Sequence, residues 1–425
     1  MELKPGMQVR LTNGKTCTVK RELGRGGQGI VYTVDYGGKD YALKWYTQKC
    51  NSPFYDNLDR NVKAGAPNKS FLWPLALSER QYDSFGYVME LRPRGYEEMG
   101  MFILAKARFA SMAATINAAL QICTAFRELH TRGLSYQDMN DGNFFINPQT
   151  GDVLICDNDN VAPNGVNMGI AGKAGYMAPE IVEREAMPSR NTDFFSQAVC
   201  LFILFFMNRP FEGAFYASCP CMTPQFEKKL FGKEAIFIMD PQNPKNRPVK
   251  GLHNNVIRRW PLMPKLLREN FQRAFSHEAI TNPMGCVIDL KWQEIIVQLR
   301  SQFVKCPVCG QYTFVELPSQ GAKCMECDCE LTNFTVMKVG HYEVPLIPGQ
   351  KLYTCQVRDT KDLDEVAGEV IVGSAGAWGI RNTGRLVWSV FLPDGQMRLV
   401  NPGQGMPAQR GLKVKFGSDL TGTIV

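Results

Sequence analysis

Three polar side chains suited to one reaction follow each other near the middle of the chain. Asp138 and Asn143 are five residues apart, and Asp157 comes directly after an apolar segment. In phosphoryl transfer, the first acid can orient a hydroxyl and take its proton, while the amide and the second acid hold Mg²⁺ against ATP phosphates. This spacing alone is common by chance, so the prediction depends on the residues around it.

A glycine-rich segment and a lysine lie upstream of this group. Gly24, Gly26 and Gly29 have the spacing G-x-G-x-x-G and precede a strand-like run. Because glycines have no side chain, they let backbone amides close over phosphates. Lys44 lies in an alternating strand pattern, from which it would pair with the α- and β-phosphates. The alternatives are an ordinary hairpin turn and a lysine exposed to solvent.

The segment 175–180, Gly-Tyr-Met-Ala-Pro-Glu, completes the series downstream of Asp157. Each signal is weak by itself, but five signals in the right order form a specific set. Together they resemble the protein kinase superfamily, in particular the bacterial kinases of eukaryotic Ser/Thr type, over roughly residues 10–300. The resemblance implies an α+β fold with two lobes, protein kinase activity, and ATP and Mg²⁺ as cofactors.

The resemblance also implies roles for individual residues. Lys44 would be the strand lysine that binds phosphates, and Asp138 the catalytic acid. Asn143 and Asp157 would hold the metal, and Asp193 would be the helix acid that binds the catalytic-loop backbone. The implied ATP-binding residues are Gly24, Gly26, Gly29, Val31, Ala42, Lys44, Met89, Glu90, Leu91, Asn143 and Asp157.

The expected activation signal of such kinases is missing. Tyr136-Gln137-Asp138 replaces the family's His-Arg-Asp, so the arginine that would bind a loop phosphate is absent from the sequence. The segment 157–180 contains no Ser or Thr, and Tyr176 is its only residue with a hydroxyl. Both the Ser or Thr that would carry a phosphate and the arginine that would bind it are lacking. We therefore predict that loop phosphorylation does not switch the enzyme on.

A second departure from the family comes as a pair of substitutions. Asn140 replaces the lysine that the family has two residues past the catalytic acid, and Lys173 replaces its threonine before the segment 175–180. In related kinases these positions face each other near the γ-phosphate. Lys173 would then supply the cation from the opposite side and join the catalytic residues. The alternative is a solvated lysine.

The acidic partner of Lys44 is open. The family has a helix glutamate downstream of its strand lysine, but segment 54–61 contains no Glu. Asp56, Asp59 or Asn57 could fill the position, and we favour Asp56.

Two further positions bear on whether the protein is active. Asn158 and Asp159 replace the Phe and Gly of the family's Asp-Phe-Gly. Asp159 would help to hold metal or would cap the following turn, and we favour the cap. Glu180 lacks an obvious arginine partner. The missing helix glutamate for Lys44 and the missing arginine for Glu180 argue for a pseudokinase, but all four central catalytic positions are kept, and catalysis is favoured.

Length and composition are those of a globular chain. The 425 residues predict about three domains, and 44% hydrophobic with 21% charged residues argue against a disordered or fibrous protein. A net charge of +7 without basic runs among aromatics does not favour nucleic acid as a partner. No signal region is found, and the apolar run 198–207 is too short to span a bilayer, so no membrane is expected. Cysteines scattered singly predict a cytoplasmic location.

Four cysteines form two C-x₂-C pairs that are fourteen residues apart. Cys306 with Cys309, and Cys324 with Cys327, each place two thiolates on one turn, and the two turns can close a tetrahedral Zn²⁺ site. Cys329 is an alternative fourth ligand, and two disulfides would need an oxidising compartment. Four protein ligands close the site, so the zinc would be structural. The pattern resembles zinc ribbons.

Short strand patterns separated by turn residues follow to the end of the chain and predict an all-β sandwich. Segment 379–382 loosely resembles forkhead-associated domains, which bind phosphothreonine through a Gly-Arg pair and a Ser-x-x-His that are not both found here. Arg381 could contact a phosphate, yet we interpret the module as a protein-binding domain. The strand candidates are 343–346, 352–357, 369–372, 386–390, 397–400 and 412–416.

The predicted order is a kinase domain at 1–300, with lobes at about 1–92 and 93–300, a zinc ribbon at 301–335 and the sandwich at 336–425. The favoured function is ATP-dependent phosphorylation of Ser/Thr on protein substrates and on itself, with partners bound by the C-terminal modules. The second candidate function is that of a scaffold that binds nucleotide without transferring phosphate. The third is a nucleic-acid-associated protein in which the zinc ribbon dominates.

Overall fold

The computed structural model describes residues 2–81, 84–169, 172–317, 322–332, 334–374, 376–417 and 420–425. The chain divides into two units, residues 1–260 with 270–293 and residues 261–269 with 294–425. The first unit contains the glycine-rich segment and the catalytic-loop candidates, and the second contains the C-x₂-C pairs and the β-rich C-terminal region. The predicted domain boundaries at residues 300 and 335 stay predictions.

An antiparallel sheet begins the first unit. Its strands are β1 (Gln8–Arg10), β2 (Thr16–Arg25), β3 (Gly29–Tyr36), β4 (Lys39–Tyr46), β5 (Ala76–Leu77) and β6 (Gly86–Met89), in the order β1-β2-β3-β4-β6-β5. Val34 and Leu43 lie in the core on this sheet, because apolar residues alternate along strands that bury a face. Lys44 of β4 lies opposite Val31 of β3 and Tyr87 of β6.

Helix α1 (Ser52–Ala64) follows β4 and packs against the same lobe. Its start is fixed by Asn51, whose side chain accepts a hydrogen bond from the Phe54 amide at 2.9 Å. Phe54 and Leu58 are four residues apart, so they lie on one face of the helix, and both are buried. The helix therefore has an apolar side toward the sheet.

The rest of the first unit is mainly helical. Its helices are α2 (Met99–Ile103), α3 (Met112–Thr131), α4 (Pro179–Val182), α5 (Arg190–Phe206), α6 (Ala214–Ala217), α7 (Pro224–Phe231), α8 (Asn254–Arg259), α9 (Lys265–Ala274), α10 (His277–Thr281) and α11 (Asp289–Gln302), of which α9 and α11 continue into the second unit. Phe202 and Phe206 of α5 pack around Trp260 and Phe271. The apolar run 198–207 lies in α5 except for Met207, which follows the helix. No described helix is long and apolar enough to cross a membrane.

Five short strands position the loops of the site. They are β7 (Glu97–Glu98), β8 (Leu134–Ser135), β9 (Phe144–Ile146), β10 (Val153–Ile155) and β11 (Ala162–Pro163). β9 pairs with β10 so that Phe144 is opposite Ile155. The Cys156 amide then donates to the Asn143 carbonyl at 2.9 Å. The residues on either side of this hairpin, Asn143 and Asp157, are therefore brought to the same end.

The second unit begins with two small hairpins. β12 (Phe303–Lys305) pairs with β13 (Tyr312–Phe314), and β14 (Ala322–Lys323) pairs with β15 (Glu330–Leu331). Buried Val304, Val315 and Leu331 form one cluster with Cys306 and Cys324. Each hairpin thus brings one C-x₂-C pair to a common core.

The C-terminal region consists mostly of β-strands, as predicted. Its strands are β16 (Val336–Val339), β17 (Tyr342–Pro345), β18 (Lys351–Tyr353), β19 (Val366–Val372), β20 (Trp378–Asn382), β21 (Trp388–Phe391), β22 (Met397–Val400), β23 (Gly405–Pro407), β24 (Lys413–Lys415) and β25 (Thr421–Ile424). They form a six-stranded sheet, β17-β16-β25-β24-β21-β22, and a four-stranded sheet, β18-β19-β20-β23. Residues of both sheets, among them Val370, Trp388 and Val414, share one buried cluster.

The predicted strand 352–357 is wrong in its second half, where helix α12 (Thr354–Val357) begins. The Gln356 side chain accepts a hydrogen bond from the Tyr353 amide at 2.8 Å, and this contact turns the backbone into a helical turn. Val357 remains buried, so an apolar pattern of this length fits either element.

Candidate active site

Lys44 is the centre of a buried charged group between the strand-rich and helical parts of the first unit. Its side chain points from β4 and is 8% exposed. The ammonium Nζ lies 2.8 Å from Asp159 Oδ2 and 3.3 Å from Asp157 Oδ1. Two carboxylates therefore stabilise one buried cation, and they raise the pKa of Lys44 although burial alone lowers it.

The partner of Lys44 that we favoured from the sequence was wrong. Asp56 is exposed on helix α1, and Asp59 pairs with Lys63 at 2.6 Å. Asp159 takes the place at the ammonium, and this carboxylate is fully buried instead of capping a turn at the surface. The sequence contained one signal for this pairing: Asp159 follows two residues after Asp157, and the segment of helix α1 contains no Glu.

Helix α1 contacts the site through amides, not through an acid. Asn57 and Asn61, four residues apart on one face, both donate to the Val161 carbonyl, at 2.7 Å and 2.9 Å. Both asparagines are buried. The helix is therefore attached by neutral hydrogen bonds to the backbone that follows Asp159.

Asp138 lies half-buried in the loop between β8 and β9. Asn140 donates to its carboxylate at 3.1 Å, and Asn143 donates to its carbonyl at 2.8 Å. Burial raises the pKa of the Asp138 carboxyl, and the charge of nearby Asp157 adds to this, while the two asparagines lower it. A carboxylate with a raised pKa and an open side is suited to accepting a proton.

Asp157 occupies a backbone conformation that few residues other than glycine adopt. Its φ is 51°, in the left-handed region, directly before the 3₁₀ turn Asn158–Asn160. Its side chain is 44% exposed, in contrast to that of Asp159. Partial burial raises the pKa of Asp157, and Lys44 opposes this. The strained turn directs one carboxylate outward and the next one inward.

The loop that carries Asp138 is held from helix α5. Asp193 accepts hydrogen bonds from the Tyr136 amide at 2.6 Å and the Gln137 amide at 3.3 Å, the arrangement that the resemblance led us to expect. Asp193 also contacts His130 Nε2 at 3.1 Å, and the other ring nitrogen contacts Asp289 at 2.9 Å. The buried imidazole of His130 therefore holds Asp193 in place, and Asp193 in turn holds the backbone of the catalytic loop.

Gln137 stands where the family has a phosphate-binding arginine. Its backbone φ is 71°, and its side-chain amide donates to the Val166 carbonyl. A neutral hydrogen bond thus connects the catalytic loop to the following segment without any phosphate. Glu180, at the end of that segment, is buried and forms no salt bridge with an arginine in the part of the chain that the structure describes.

Lys173 lies beside the catalytic loop but pairs with another residue there. Its Nζ is 2.6 Å from Asp141 Oδ1, and the side chain is 50% exposed. Arg209 holds the other oxygen of Asp141 at 3.0 Å and also contacts the Tyr176 hydroxyl at 3.4 Å. A cavity next to these residues is lined by Asp138, Lys173, Met177, Thr192 and Ser196 among others.

The glycine-rich turn and the predicted adenine contacts lie on the same lobe. Around Gly24 and Gly26 a side chain would meet open space, whereas a Cβ on Gly29 would lie 2.1 Å from the Trp45 carbonyl. Only glycine therefore fits at Gly29 without moving β4. An apolar cluster unites Ala42 and Met89 with partly buried Val31, Leu91 and Met168, whereas Glu90 is exposed. Sequence reasoning had not included Met168.

The C-x₂-C pairs converge in the second unit. One sulfur from each of Cys306, Cys309, Cys324 and Cys327 lies within 4.8 Å of all the others. The Sγ atoms of Cys306 and Cys327 are 3.8 Å apart, and those of Cys309 and Cys324 are 3.7 Å apart. Thiolates on a tetrahedral Zn²⁺ with bonds of about 2.3 Å are about 3.8 Å apart. Cys329 is also close, with its sulfur 3.3 Å from that of Cys306.

Comparison with known proteins identifies the kind of domain that contains this site. The family model for the protein kinase domain matches residues 17–219. G protein-coupled receptor kinase 1 of Caenorhabditis elegans is 29% identical over 187 residues, covering 42% of this chain and 29% of that protein. Protein kinase YegI of Escherichia coli is 23% identical over 351 residues, covering 76% of this chain and 50% of that protein. The chain thus has a protein kinase domain with the kinase fold.

These similarities are partial in extent. The chain spans 29%, 16% and 9% of the length of three curated kinases that it matches. Among solved structures, the kinase domain of PknI from Mycobacterium tuberculosis, a double mutant, has a TM-score of 0.46 and 16% identity, covering 70% of this chain and 99% of that chain.

The buried His130 makes stability depend on pH. Burial lowers its pKa, but the hydrogen bonds that the ring donates to Asp193 and Asp289 raise it to about 9, above the ordinary 6.5. The charged ring therefore makes its full contribution to the free energy of unfolding below pH 6.5, and this contribution is lost as the pH rises toward 9. We expect His130→Gln to cost about 3 kcal/mol of unfolding free energy at pH 6 and far less at pH 9.5.

Urea unfolding of both proteins at the two pH values measures this difference. The exposed His277→Gln is the matched control and should leave the pH dependence as it is in the wild type. An equal loss at pH 6 and pH 9.5 for His130→Gln would contradict a charged imidazole between the two carboxylates.

Proposed function

We propose that this kinase domain transfers the γ-phosphoryl group of ATP to Ser or Thr hydroxyls of proteins, including its own. The observation that carries the proposal is the convergence of four groups in one cleft. Lys44 contacts Asp157, and Asn143 binds the backbone of Asp138. In a site of this kind catalysis consists mainly of positioning and of charge stabilisation, which these groups can supply.

The chain's own residues suit each part of the reaction. Asp138 would accept the hydrogen bond of the acceptor hydroxyl and take its proton as the oxygen attacks the γ-phosphorus and the bond to the departing ADP breaks. Asn143 and the exposed carboxylate of Asp157 offer the oxygen ligands that Mg²⁺ prefers. When bound, Mg²⁺ neutralises charge on the phosphates. Lys44 would hold the phosphates below the turn of Gly24, Gly26 and Gly29, with adenine against the cluster of Val31, Ala42, Met89 and Leu91, next to the backbone of Glu90.

Lys173 is proposed as a further cation at the transferred phosphate. It lines the cavity that also contains Asp138, and Asp141 holds it there at 2.6 Å. Asn140 cannot supply a positive charge. Of the two cations on Asp141, Lys173 is the one that lines the cavity together with Asp138. Its half-exposed side chain leaves its ammonium accessible from the cleft.

Activity without loop phosphorylation is supported by the contacts of Gln137. Its amide takes over the connection between catalytic loop and following segment, and Asp141 with Arg209 and Tyr176 forms a second connection. Tyr176, the one hydroxyl residue of segment 157–180, is 1% exposed. A phosphate is neither needed for these contacts nor easily added.

A pseudokinase scaffold is the second candidate. It is favoured by two departures, the missing arginine partner of Glu180 and the missing acid on helix α1 at Lys44. In this alternative the domain binds nucleotide and assembles partners through its C-terminal modules. The ion pair of Lys44 with Asp159 weakens this argument, because the lysine has an acidic partner after all.

The cysteine cluster is proposed as a structural zinc ribbon. The sulfur separations fit a tetrahedral metal held by Cys306, Cys309, Cys324 and Cys327, and with four protein ligands no position is open for catalysis. Cys329 is the alternative ligand. None of the fourteen cysteines forms a disulfide, which supports a reducing, cytoplasmic location.

The β-rich region is proposed as a sandwich that resembles forkhead-associated domains and binds protein partners. Two sheets around one core support the sandwich. Arg381 is exposed on β20 and could contact a phosphate, but we assign no phosphate ligand to it. Membranes and nucleic acids are not among the partners that we propose.

Replacing the catalytic acid tests the proposed activity. Asp138→Asn should lower the rate of transfer from labelled ATP by about 10²–10⁴-fold, since the amide cannot accept the hydroxyl proton. ATP binding should remain. Autophosphorylation and phosphorylation of a general protein substrate are the measurements, and the exposed Asp56→Asn is the control that keeps full activity. Nucleotide binding without transfer in the wild type would support the scaffold instead.

The role of Lys173 can be separated from ATP binding. Lys173→Met should lower the turnover rate by about 10²-fold, because charge stabilisation at the transferred phosphate is lost. The ATP affinity should change little. Lys233→Met, which removes a surface ion pair with Glu185, is the control. Equal turnover of Lys173→Met and wild type would show that this lysine is only a solvated partner of Asp141.

Metal analysis tests the ribbon and its ligand choice. We expect one zinc per purified chain, lost in Cys306→Ser and Cys327→Ser because three thiolates hold the ion more weakly. Cys329→Ser and the exposed Cys221→Ser should keep the metal. Elemental analysis after dialysis gives the stoichiometry. Loss of zinc from Cys329→Ser together with retention in Cys327→Ser would assign the fourth position to Cys329.

A further inference from the structure

We propose that Asp159 is the positioning residue of the active site, which holds Lys44 in its working position independently of helix α1. The inference rests on the proposed function, since the position matters for transfer only if the domain binds ATP. It concerns a residue to which the resemblance assigns no role, because the family has glycine there.

Asp159 is surrounded by donors. Its Oδ2 accepts from the Lys44 ammonium at 2.8 Å and from the Tyr46 hydroxyl, and its Oδ1 accepts from the Tyr87 hydroxyl at 3.4 Å. Burial, together with the charge of Asp159, raises the pKa of both tyrosines, which keeps them neutral donors. A carboxylate with both oxygens engaged has one orientation, and so has the lysine that it binds.

The same contacts argue against a metal at Asp159. Its side chain is 0% exposed and its oxygens are occupied, whereas the side chain of Asp157 is 44% exposed. The carboxylates of Asp157 and Asp159 therefore have different roles. Asp157 offers a carboxylate toward the cleft, and Asp159 offers one toward the lobe core. The left-handed backbone of Asp157 produces this alternation over two residues.

Helix α1 supplies no charge to the lysine. Its acids are Asp56, which is exposed, and the half-buried Asp59, which pairs with Lys63. The helix reaches the site through the amides of Asn57 and Asn61. A lysine that depended on a helix acid would lose its partner when the helix moves. Here the partner belongs to the same short segment as the proposed metal ligand, so both are placed by one turn.

A double-mutant cycle on the full chain tests the pair without reference to catalysis. Asp159→Asn and Lys44→Met each leave a buried charge with fewer partners, so each should lower the melting temperature. The double variant should lose clearly less than the sum of the two single losses, because neither charge remains. The control cycle of Lys44→Met with exposed Asp56→Asn should be additive.

Should Asp159→Asn alone fail to fold, the double variant must still fold, because it leaves no unpaired charge at this position. Additive losses in the Lys44–Asp159 cycle, coupling in the control cycle, or an unfolded double variant would each overturn the inference. These outcomes do not depend on whether the wild type transfers phosphate.

Kinetics then test the positioning role. Asp159→Asn should lower kcat/KM for Mg-ATP by about 100-fold, as misplacement of a catalytic group does, and Asp56→Asn should leave it unchanged. A coupled pair with unchanged kinetics would show that Asp159 serves folding only and would overturn the positioning role. Absence of transfer in the wild type would instead refute the proposed function and leave the thermal result standing.

Discussion

The ion pair between the Lys44 ammonium and the carboxylates of Asp157 and Asp159 is the contact on which the rest of the site depends. It joins β4 of the strand-rich lobe to the turn after β10, 113 and 115 residues further along the chain. A buried ammonium without these partners would be costly, so the two parts must meet in one arrangement. The glycine turn and the proposed metal ligand are thereby placed on the two sides of one cleft.

The opposite side of the cleft is fixed by a second buried network. Asp193 binds two backbone amides of the catalytic loop, and His130 connects it to Asp289 at the start of α11. Gln137 contacts the following segment through a neutral amide, so this contact itself contains no phosphate.

The sequence was sufficient for the order of the motifs and for the elements that carry them. Most C-terminal strands follow from local sequence patterns, and the cysteine spacing predicted a cluster that the structure contains. Contacts between distant residues were not predictable in the same way. The choice of Asp159 over Asp56 depends on which acid faces inward, and this follows from the left-handed turn at Asp157. The pairing of β16 with β25 is likewise non-local.

The central claim is that these groups converge on a magnesium-bound triphosphate. Titration calorimetry of ATP with and without Mg²⁺, on the wild type and on Asp157→Asn, tests it most directly. The account predicts that Mg²⁺ strengthens ATP binding to the wild type, and that this gain disappears in Asp157→Asn while weak binding of the free nucleotide remains. An equal response to Mg²⁺ in both proteins, or no nucleotide binding to either, would contradict it.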